Sequence, residues 1–353
     1  MEKYYTRACN FYHGEIAKKL VKKKKALPLC GKKSIAFDTL EIFIKNEKRI
    51  TSKLIHIKNI NKLKYKLKKE VKNSLNKIIK RRKNFLRKIN FSKTSIMGIL
   101  NLTPDSFSDG GKYNSKKKSL KQIKNLLKGG ANIIDIGGES TRPGSKTIQA
   151  LKEWKRIAFV VQNFKKNFKN TCVSIDTRKP EVIEKAIAND VDLINDVSGF
   201  KYSKSSIKVI NKISIPKVLH HMQGTPNTMQ TNPRYQNCLL DIYDYFEKNI
   251  KRFKYKNIIL DPGIGFGKNL KHNLSLISKI SLFHSLGFPI LVGTSRKRFI
   301  NQIAKNYDSE ERIGGTLSSV LFLLSQGIQV FRVHNVREIK QGILVFEKIL
   351  YEK

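Results

Sequence analysis

From Ser95 to its C-terminus the chain repeats one pattern eight times: a short run rich in Ile, Leu and Val, a polar or glycine-bearing turn, then a longer stretch with helical spacing. Short apolar runs alternating with helix-length segments signal parallel strands joined by crossover helices. The candidate strands are 95–100, 132–136, 172–175, 192–194, 216–220, 257–260, 289–292 and 329–333. Eight such units are what a closed TIM (β/α)8 barrel requires. The alternative, an open doubly wound sheet, usually has fewer strands and carries a phosphate loop after the first of them. We therefore expect an α/β protein built on a TIM barrel.

Residues 1–92 lack this texture. They are poor in Gly and hold about half of the net charge of +44, with lysine clusters at 22–25 and 62–69. Within them, 34–44 (SIAFDTLEIFI) is apolar enough for a strand or short helix, and 73–85 reads as a basic helix. We place a boundary at residue 92, with a basic N-terminal extension of unread role before it and a barrel over 93–353. Whether the extension packs on the barrel, docks another protein or is partly disordered stays open at this stage.

The positive charge invites a nucleic-acid partner, because dense Lys and Arg drive counterion release. Here the excess is spread along the chain as Lys among Ile and Asn. Paired zinc ligands, an aromatic RNP-like strand and a helix-turn-helix are all missing, so no specific nucleic-acid partner is expected. No stretch approaches the roughly 18 uncharged apolar residues of a membrane span, and the N-terminus does not read as a secretory signal. Cys9, Cys30, Cys172 and Cys238 are scattered, without a C-x-x-C pair or metal spacing. Free thiols fit a reducing compartment, and the expected location is cytoplasmic, with no membrane partner.

A barrel brings the segments after its strands to one rim, where barrel enzymes build their sites. In order these segments read NLTPDSFSDGG, GGESTRPG, DTRKP, NDVSG, HMQGTP, DPGIGFGK, GTSRKRF and RVHN. The glycines of DPGIGFGK match neither nucleotide-binding fingerprint and read instead as tight turns that let backbone approach a ligand. The Asp261 carboxylate can accept from a pair of adjacent donors, and the Asn195 amide can both donate and accept. Asp176 can hold the opposite part of a ring, the Arg332 guanidinium can stack on it, and Met222 and Phe266 can wall its faces. Taken singly, an Asp before Pro-Gly is often a turn residue, a lone His a satisfied core residue, and a Phe at a strand end plain packing.

The runs MGILNLTPDSFSDGG (97–111) and IGGESTRPG (136–144) resemble the two signature loops of the dihydropteroate synthases. Further matches follow in order at Asp176, NDVSG (195–199), HMQGTP (221–226), DPGIGFGK (261–268), SRKRF (295–299), Arg332 and His334. The resemblance covers about residues 94–353. It implies condensation of 6-hydroxymethyl-7,8-dihydropterin pyrophosphate with para-aminobenzoate to give 7,8-dihydropteroate and pyrophosphate, the pyrophosphate leaving first in an SN1-like step. It implies Mg2+, reached by Asn101, and a homodimer. By the same resemblance Asp176, Asn195, Met222, Asp261, Phe266, Lys297 and Arg332 bind the pterin, and Asn101, Thr141, Arg332 and His334 the pyrophosphate. Thr103, Pro104, Phe107, Thr141, Pro143, Ser295 and Lys297 surround para-aminobenzoate. Asn101, Asp176, Lys297, Arg332 and His334 then carry the catalysis. Where the family usually continues the motif after His334 with Asp, this chain has Asn335. Two rivals remain: a pterin-binding methyltransferase, which leaves 140–144 and 295–297 unexplained, and a catalytically silent homologue.

Overall fold

The computed structural model describes residues 2–47, 49–103, 112–140 and 144–352, with backbone alone for 112–115. The first 79 residues make a four-stranded antiparallel sheet with two helices. Strands β1 (Lys3–His13), β2 (Leu27–Leu29), β3 (Lys32–Lys45) and β4 (Ile50–His56) pair so that β3 touches all the others. Helix α1 (Gly14–Lys22) links β1 to β2, and α2 (Tyr65–Ile79) closes the unit. The 34–44 segment is thus a strand inside β3, as its Ile, Phe and Leu content favours.

The expected helix over 73–85 is displaced. Its apolar stripe of Leu67, Val71 and Ile78 packs on the sheet and starts α2 at Tyr65. The helix stops at Ile79 because the following residues have other partners. Buried Arg82 donates to the carbonyls of Lys77 (2.7 Å), Lys80 (3.1 Å) and His284 (2.9 Å). Leu86, Ile89 and Phe91 then reach the floor of the barrel.

The barrel strands are β5 (Ser95–Asn101), β6 (Ile133–Gly137), β7 (Cys172–Asp176), β8 (Leu193–Asp196), β9 (Lys217–His220), β10 (Ile258–Asp261), β11 (Leu291–Val292) and β12 (Val330–Val333). All pair in parallel, in the order β10-β9-β8-β7-β6-β5-β12-β11, and a bridge between Leu260 and Ile290 closes the ring. Around them run α3 (Lys112–Lys128), α4 (Ala150–Asn167), α5 (Pro180–Ile187), α6 (Lys204–Lys212), α7 (Cys238–Ile250), α8 (Leu270–Ser278), α9 (Arg298–Ala304), α10 (Ile313–Ser325) and α11 (Val336–Tyr351).

Strand residues alternate between two environments, as a period of two dictates. Val173, Ile175, Ile134, Ile136, Phe331 and Val333 belong to the apolar layer under the helices. Their neighbours Met97, Ile133, Cys172, Leu193, Val218, Ile259, Leu291 and Val330 form one inward ring, stoppered by Leu86, Ile89 and Phe91. Above that ring the inward positions turn polar.

The extension packs on the barrel beside α7 and the 280–286 turn. Charge complementarity holds it there: Lys3 meets Asp244 (2.8 Å) and Glu247 (2.6 Å), Lys45 meets Asp241 (3.2 Å), and Arg7 donates to Ser281 Oγ (3.0 Å). Tyr5 lies edge-on to Tyr243 at 5.2 Å, adding apolar contact beneath these surface pairs. Replacing Phe91 by Ala empties the stopper and is expected to cost about 3–5 kcal/mol of stability. Equilibrium urea denaturation checks this, and a loss below about 1 kcal/mol would show that the floor closes without it.

Candidate active site

Above the apolar ring, the side chain of Arg332 lies among carboxylates. Its Nε donates to Asp135 Oδ2 and its Nη2 to Asp176 Oδ2, each at 2.6 Å. Asn195 Nδ2 donates to the same Asp135 oxygen at 3.0 Å. These groups come from β6, β7, β8 and β12, each placed inward by strand alternation. Gly137, next inward on β6, leaves room beside them: a Cβ there would sit 3.5 Å from Asn101 Oδ1 and 3.6 Å from Asp176 Cβ. Burial, against the pull of Arg332 and with the help of the Asp135 charge, raises the Asp176 carboxyl above its ordinary range. Arg332 is held firmly charged, because the charges of Asp135 and Asp176 outweigh burial.

Asp261 ends β10 and is buried. Its Oδ1 accepts from Gly263 N at 2.8 Å, and its Oδ2 lies 3.9 Å from His220 Nε2. His220 gives its Nδ1 proton to the Val197 carbonyl at 3.0 Å and shows Asp261 an uncharged nitrogen, burial keeping its pKa well below normal. Burial lifts the Asp261 carboxyl to about 6.

The turn that follows holds Gly263, Gly265 and Gly267 at φ of 68°, 82° and 63°. Gly263 has a second reason to be glycine, since a Cβ there would lie 2.0 Å from the His221 carbonyl oxygen. The turn carries Phe266 edge-on to His220, 4.7 Å between centroids, and the Lys297 ammonium rests 3.9 Å from the Phe266 centroid. Burial and the Arg332 charge push Lys297 down to about 8, with Asp261 and Asp176 opposing.

At the other side of the mouth Ser295 Oγ lies 3.0 Å from His334 Nδ1 and accepts from the His334 N–H at 3.2 Å. Asn335 Oδ1 accepts from Arg296 Nε (3.1 Å) and Nη2 (2.9 Å), so the amide oxygen keeps a forked contact that a carboxylate would also make. Behind the β6 loop, Lys179 bridges Glu139 (2.8 Å) and Glu153 (2.5 Å), and Arg178 joins Glu139 (3.1 Å) to Thr147 Oγ1 (2.8 Å). Burial pushes Glu139 up, but bonds from Lys179, the Ile148 N–H and Arg178 outweigh it and hold the carboxyl below its usual range.

Asn101, Asp176, Asn195, Asp261, Phe266, Ser295, Lys297, Arg332 and His334 thus all sit at or just past the C-terminal ends of barrel strands. Met222, half-buried, follows β9, and Thr103, half-buried, follows β5. Pro104, Phe107, Thr141 and Pro143 lie outside the described residues. Sequence reasoning missed Asp135, His220, His221 and Lys268. Asp135 had a signal: a carboxylate between isoleucines in IIDIG, on the inward phase of its strand.

The pterin-binding enzyme family matches residues 97–334. The chain belongs to that family. Among members, the dihydropteroate synthase of Escherichia coli is 39% identical over 270 residues, 75% of this chain and 95% of that protein. The one from Clostridium beijerinckii is 43% identical over 252 residues, 70% of this chain and 90% of its own. Among solved structures, the Yersinia pestis dihydropteroate synthase with a sulfonamide drug complex is 37% identical, with a TM-score of 0.69 over 74% of this chain and 96% of that one. A Xanthomonas albilineans dihydropteroate synthase with 4-aminobenzoic acid is 30% identical, with a TM-score of 0.69 over 76% of this chain and 97% of its own. The eight-strand parallel barrel is the architecture these family members share.

The raised Asp261 carboxyl has a consequence for stability. The folded chain keeps that proton up to pH about 6, whereas an unfolded Asp releases it near pH 4. Its contribution is therefore fully present below pH 4 and is lost as pH rises through 6. Asp261→Asn removes this loss, and at pH 8 the variant should be more stable than the parent by on the order of 2 kcal/mol. Urea titrations at pH 5 and pH 8 check this; equal pH slopes for the two proteins contradict it.

Proposed function

We propose that this chain is a dihydropteroate synthase, condensing 6-hydroxymethyl-7,8-dihydropterin pyrophosphate with para-aminobenzoate to give 7,8-dihydropteroate and pyrophosphate. The observation that carries the reading is the convergence of Asp261, Asn195, Lys297 and the Arg332–Asp176 pair on one mouth. Asp261 retains an acceptor oxygen for the amino-pyrimidine edge of the pterin. Asn195 spends its amide N–H on Asp135 and so offers its carbonyl to a ring N–H. Lys297 caps the ring edge, with Phe266 and Met222 as walls. As pyrophosphate departs, positive charge develops on the pterin methylene, and the buried carboxylates of Asp176 and Asp261 stabilise it. The arylamine nitrogen then forms the new C–N bond, and its proton passes to water or to the released pyrophosphate.

Arg332 and His334, with Asn101 and Thr141, form the pyrophosphate end. Thr103, Ser295 and Lys297 are assigned to the para-aminobenzoate end, and Pro104, Phe107, Thr141 and Pro143 go with them by the resemblance of their motifs alone. Among the described residues no cluster of three His, Cys, Asp or Glu could hold a metal by itself. The Asn101 oxygen, facing the space left by Gly137, fits Mg2+ brought in with the substrate, since that ion needs few protein ligands. When bound, Mg2+ neutralises the leaving pyrophosphate.

Four further assignments go with this reading. Residues 1–92 form an extension whose role is unassigned and 93–353 the catalytic unit, because the side chains of the site come from the latter. The free chain pairs as a homodimer through barrel helices, supported by exposed Phe322 on α10 and Leu344, Val345 and Ile349 on α11. Its location is the cytoplasm, supported by four free cysteines. Among the described residues no helix is long and apolar enough to cross a membrane.

The test is Mg-dependent condensation of the pterin pyrophosphate with labelled para-aminobenzoate, using the whole chain and a version beginning at Lys80, which keeps the Leu86, Ile89 and Phe91 stopper. Pterin binding without product would favour the methyltransferase or the silent homologue. Asn101→Ala should lose metal-dependent turnover while pterin affinity survives; parallel loss of both removes Asn101 from the metal end. Asp261→Asn should abolish pterin binding, because the Gly263 N–H keeps the amide oxygen and leaves an NH2 donor facing the donors of the pterin edge. Calorimetric titration with pterin checks this, and parental affinity in the variant would overturn the pocket assignment.

A further inference from the structure

Lys268 is buried, among the described residues no carboxylate is in contact with it, and burial pushes its pKa down to about 7, so that it is an ammonium below that pH. Its Nζ lies 2.8 Å from the Phe266 carbonyl, 3.3 Å from the His221 carbonyl and 3.1 Å from His221 Nδ1. An ammonium has three N–H groups, and here three acceptors face it. His221 must then carry its proton on Nε2. Its ring is wedged edge-on against Tyr245 at 4.8 Å, and Tyr245 donates to the His220 carbonyl at 2.9 Å.

These contacts join two consecutive rim segments, the one after β9 and the glycine turn after β10. The turn has further ties: Tyr235 OH to the Gly267 carbonyl (2.8 Å), Gln230 Nε2 to the Gly265 carbonyl (2.8 Å), and Gly265 N to Asn273 Oδ1 (2.7 Å). Among them Lys268 alone brings a charge and binds Phe266 itself. Phe266 in turn supports the Lys297 ammonium and packs on His220, which faces Asp261.

We infer that Lys268 is a positioning residue for the pterin end of the site, fixing the Phe266 wall from behind and helping to keep Asp261 a carboxylate. The inference rests on the synthase reading only in taking the ligand to be a pterin. The charged and titratable groups facing Asp261 are Lys297 and Arg332 on the mouth side, and Lys268 and uncharged His220 on the buried side. Below about pH 7, where Lys268 is charged, it biases Asp261 without occupying the ligand's space. A purely packing lysine would be replaceable by methionine with no effect on Asp261.

The test is calorimetric binding of 6-hydroxymethyl-7,8-dihydropterin, which has no leaving group, between pH 5 and 8. In the parent chain affinity falls as pH drops through about 6, where Asp261 takes up its proton. Lys268→Met should bind on the order of tenfold more weakly at pH 6.5, where Lys268 is mostly charged and Asp261 mostly ionised, through the loss of charge-assisted hydrogen bonds. Its midpoint should also move to higher pH, because one cation beside Asp261 is gone. Tyr235→Phe, which removes an uncharged tie of the same turn, should bind about threefold more weakly with its midpoint unmoved. Weaker binding by Lys268→Met with the parental midpoint, or unchanged binding, overturns the inference. Should Lys268→Met fail to fold, Tyr235→Phe decides, and unchanged affinity there overturns it. A parent chain that does not bind pterin defeats the reading of the site, and this inference with it. A parent chain that binds pterin but makes no dihydropteroate defeats the synthase reading alone, and the binding comparison still stands.

Discussion

The ion triad of Arg332 with Asp135 and Asp176 is the constraint from which the rest of the barrel interior follows. Three charges taken out of water are tolerable only with short, well-aimed partners. Here the partners come from β6, β7 and β12, so the register of three strands is tied to one guanidinium. Polar surroundings then become obligatory, which is why Asn195 occupies the adjoining inward position and why glycine stands at 137. Such a polar layer would draw in water from below, and the apolar ring with its stopper of Leu86, Ile89 and Phe91 closes that route. Charge above and hydrocarbon below divide the barrel along its axis.

Much of this was legible in the sequence, for identifiable reasons. The strands of a parallel barrel are buried on both sides and read as apolar runs, so 172–175 and 329–333 differ from β7 and β12 by a residue at one end. Site groups stand at strand ends, where an Asp or Arg interrupts such a run; Asp176, Asp261 and Arg332 were visible for that reason. Asp135 was not, because it lies within a strand, and its role depends on which neighbour reaches across the barrel. His220, His221 and Lys268 were hidden likewise. Their contacts join residues 47 apart, and nothing in the spacing of a lysine and a histidine specifies that they meet.

The extension was the least legible part. The lysines that dominate its composition say little about where its apolar stripe begins, so α2 was expected eight residues too late. Its attachment depends on acidic residues of α7, about 200 positions away, which no local pattern reveals. Asn335 shows the converse. As a departure from the family's usual Asp it drew attention to itself, yet its oxygen still takes both Arg296 donors, and the contact rather than the charge is what the fold retains.

The seat of the extension also bears on how the chain is made. Synthesis runs from the N-terminus, and β1, β3 and α2 share an apolar cluster of their own, so the unit can collapse as soon as it leaves the ribosome. Its docking surface cannot exist until α7 and the 280–286 turn have been translated, since Arg82 and His284 are 202 residues apart. At ribosomal rates of about 5–20 residues per second, that leaves an interval of roughly 10–40 s. Through that interval the side chains of Tyr5, Phe91 and Arg82 lack their barrel partners. A lysine-rich surface keeps such a waiting segment soluble and self-repelling.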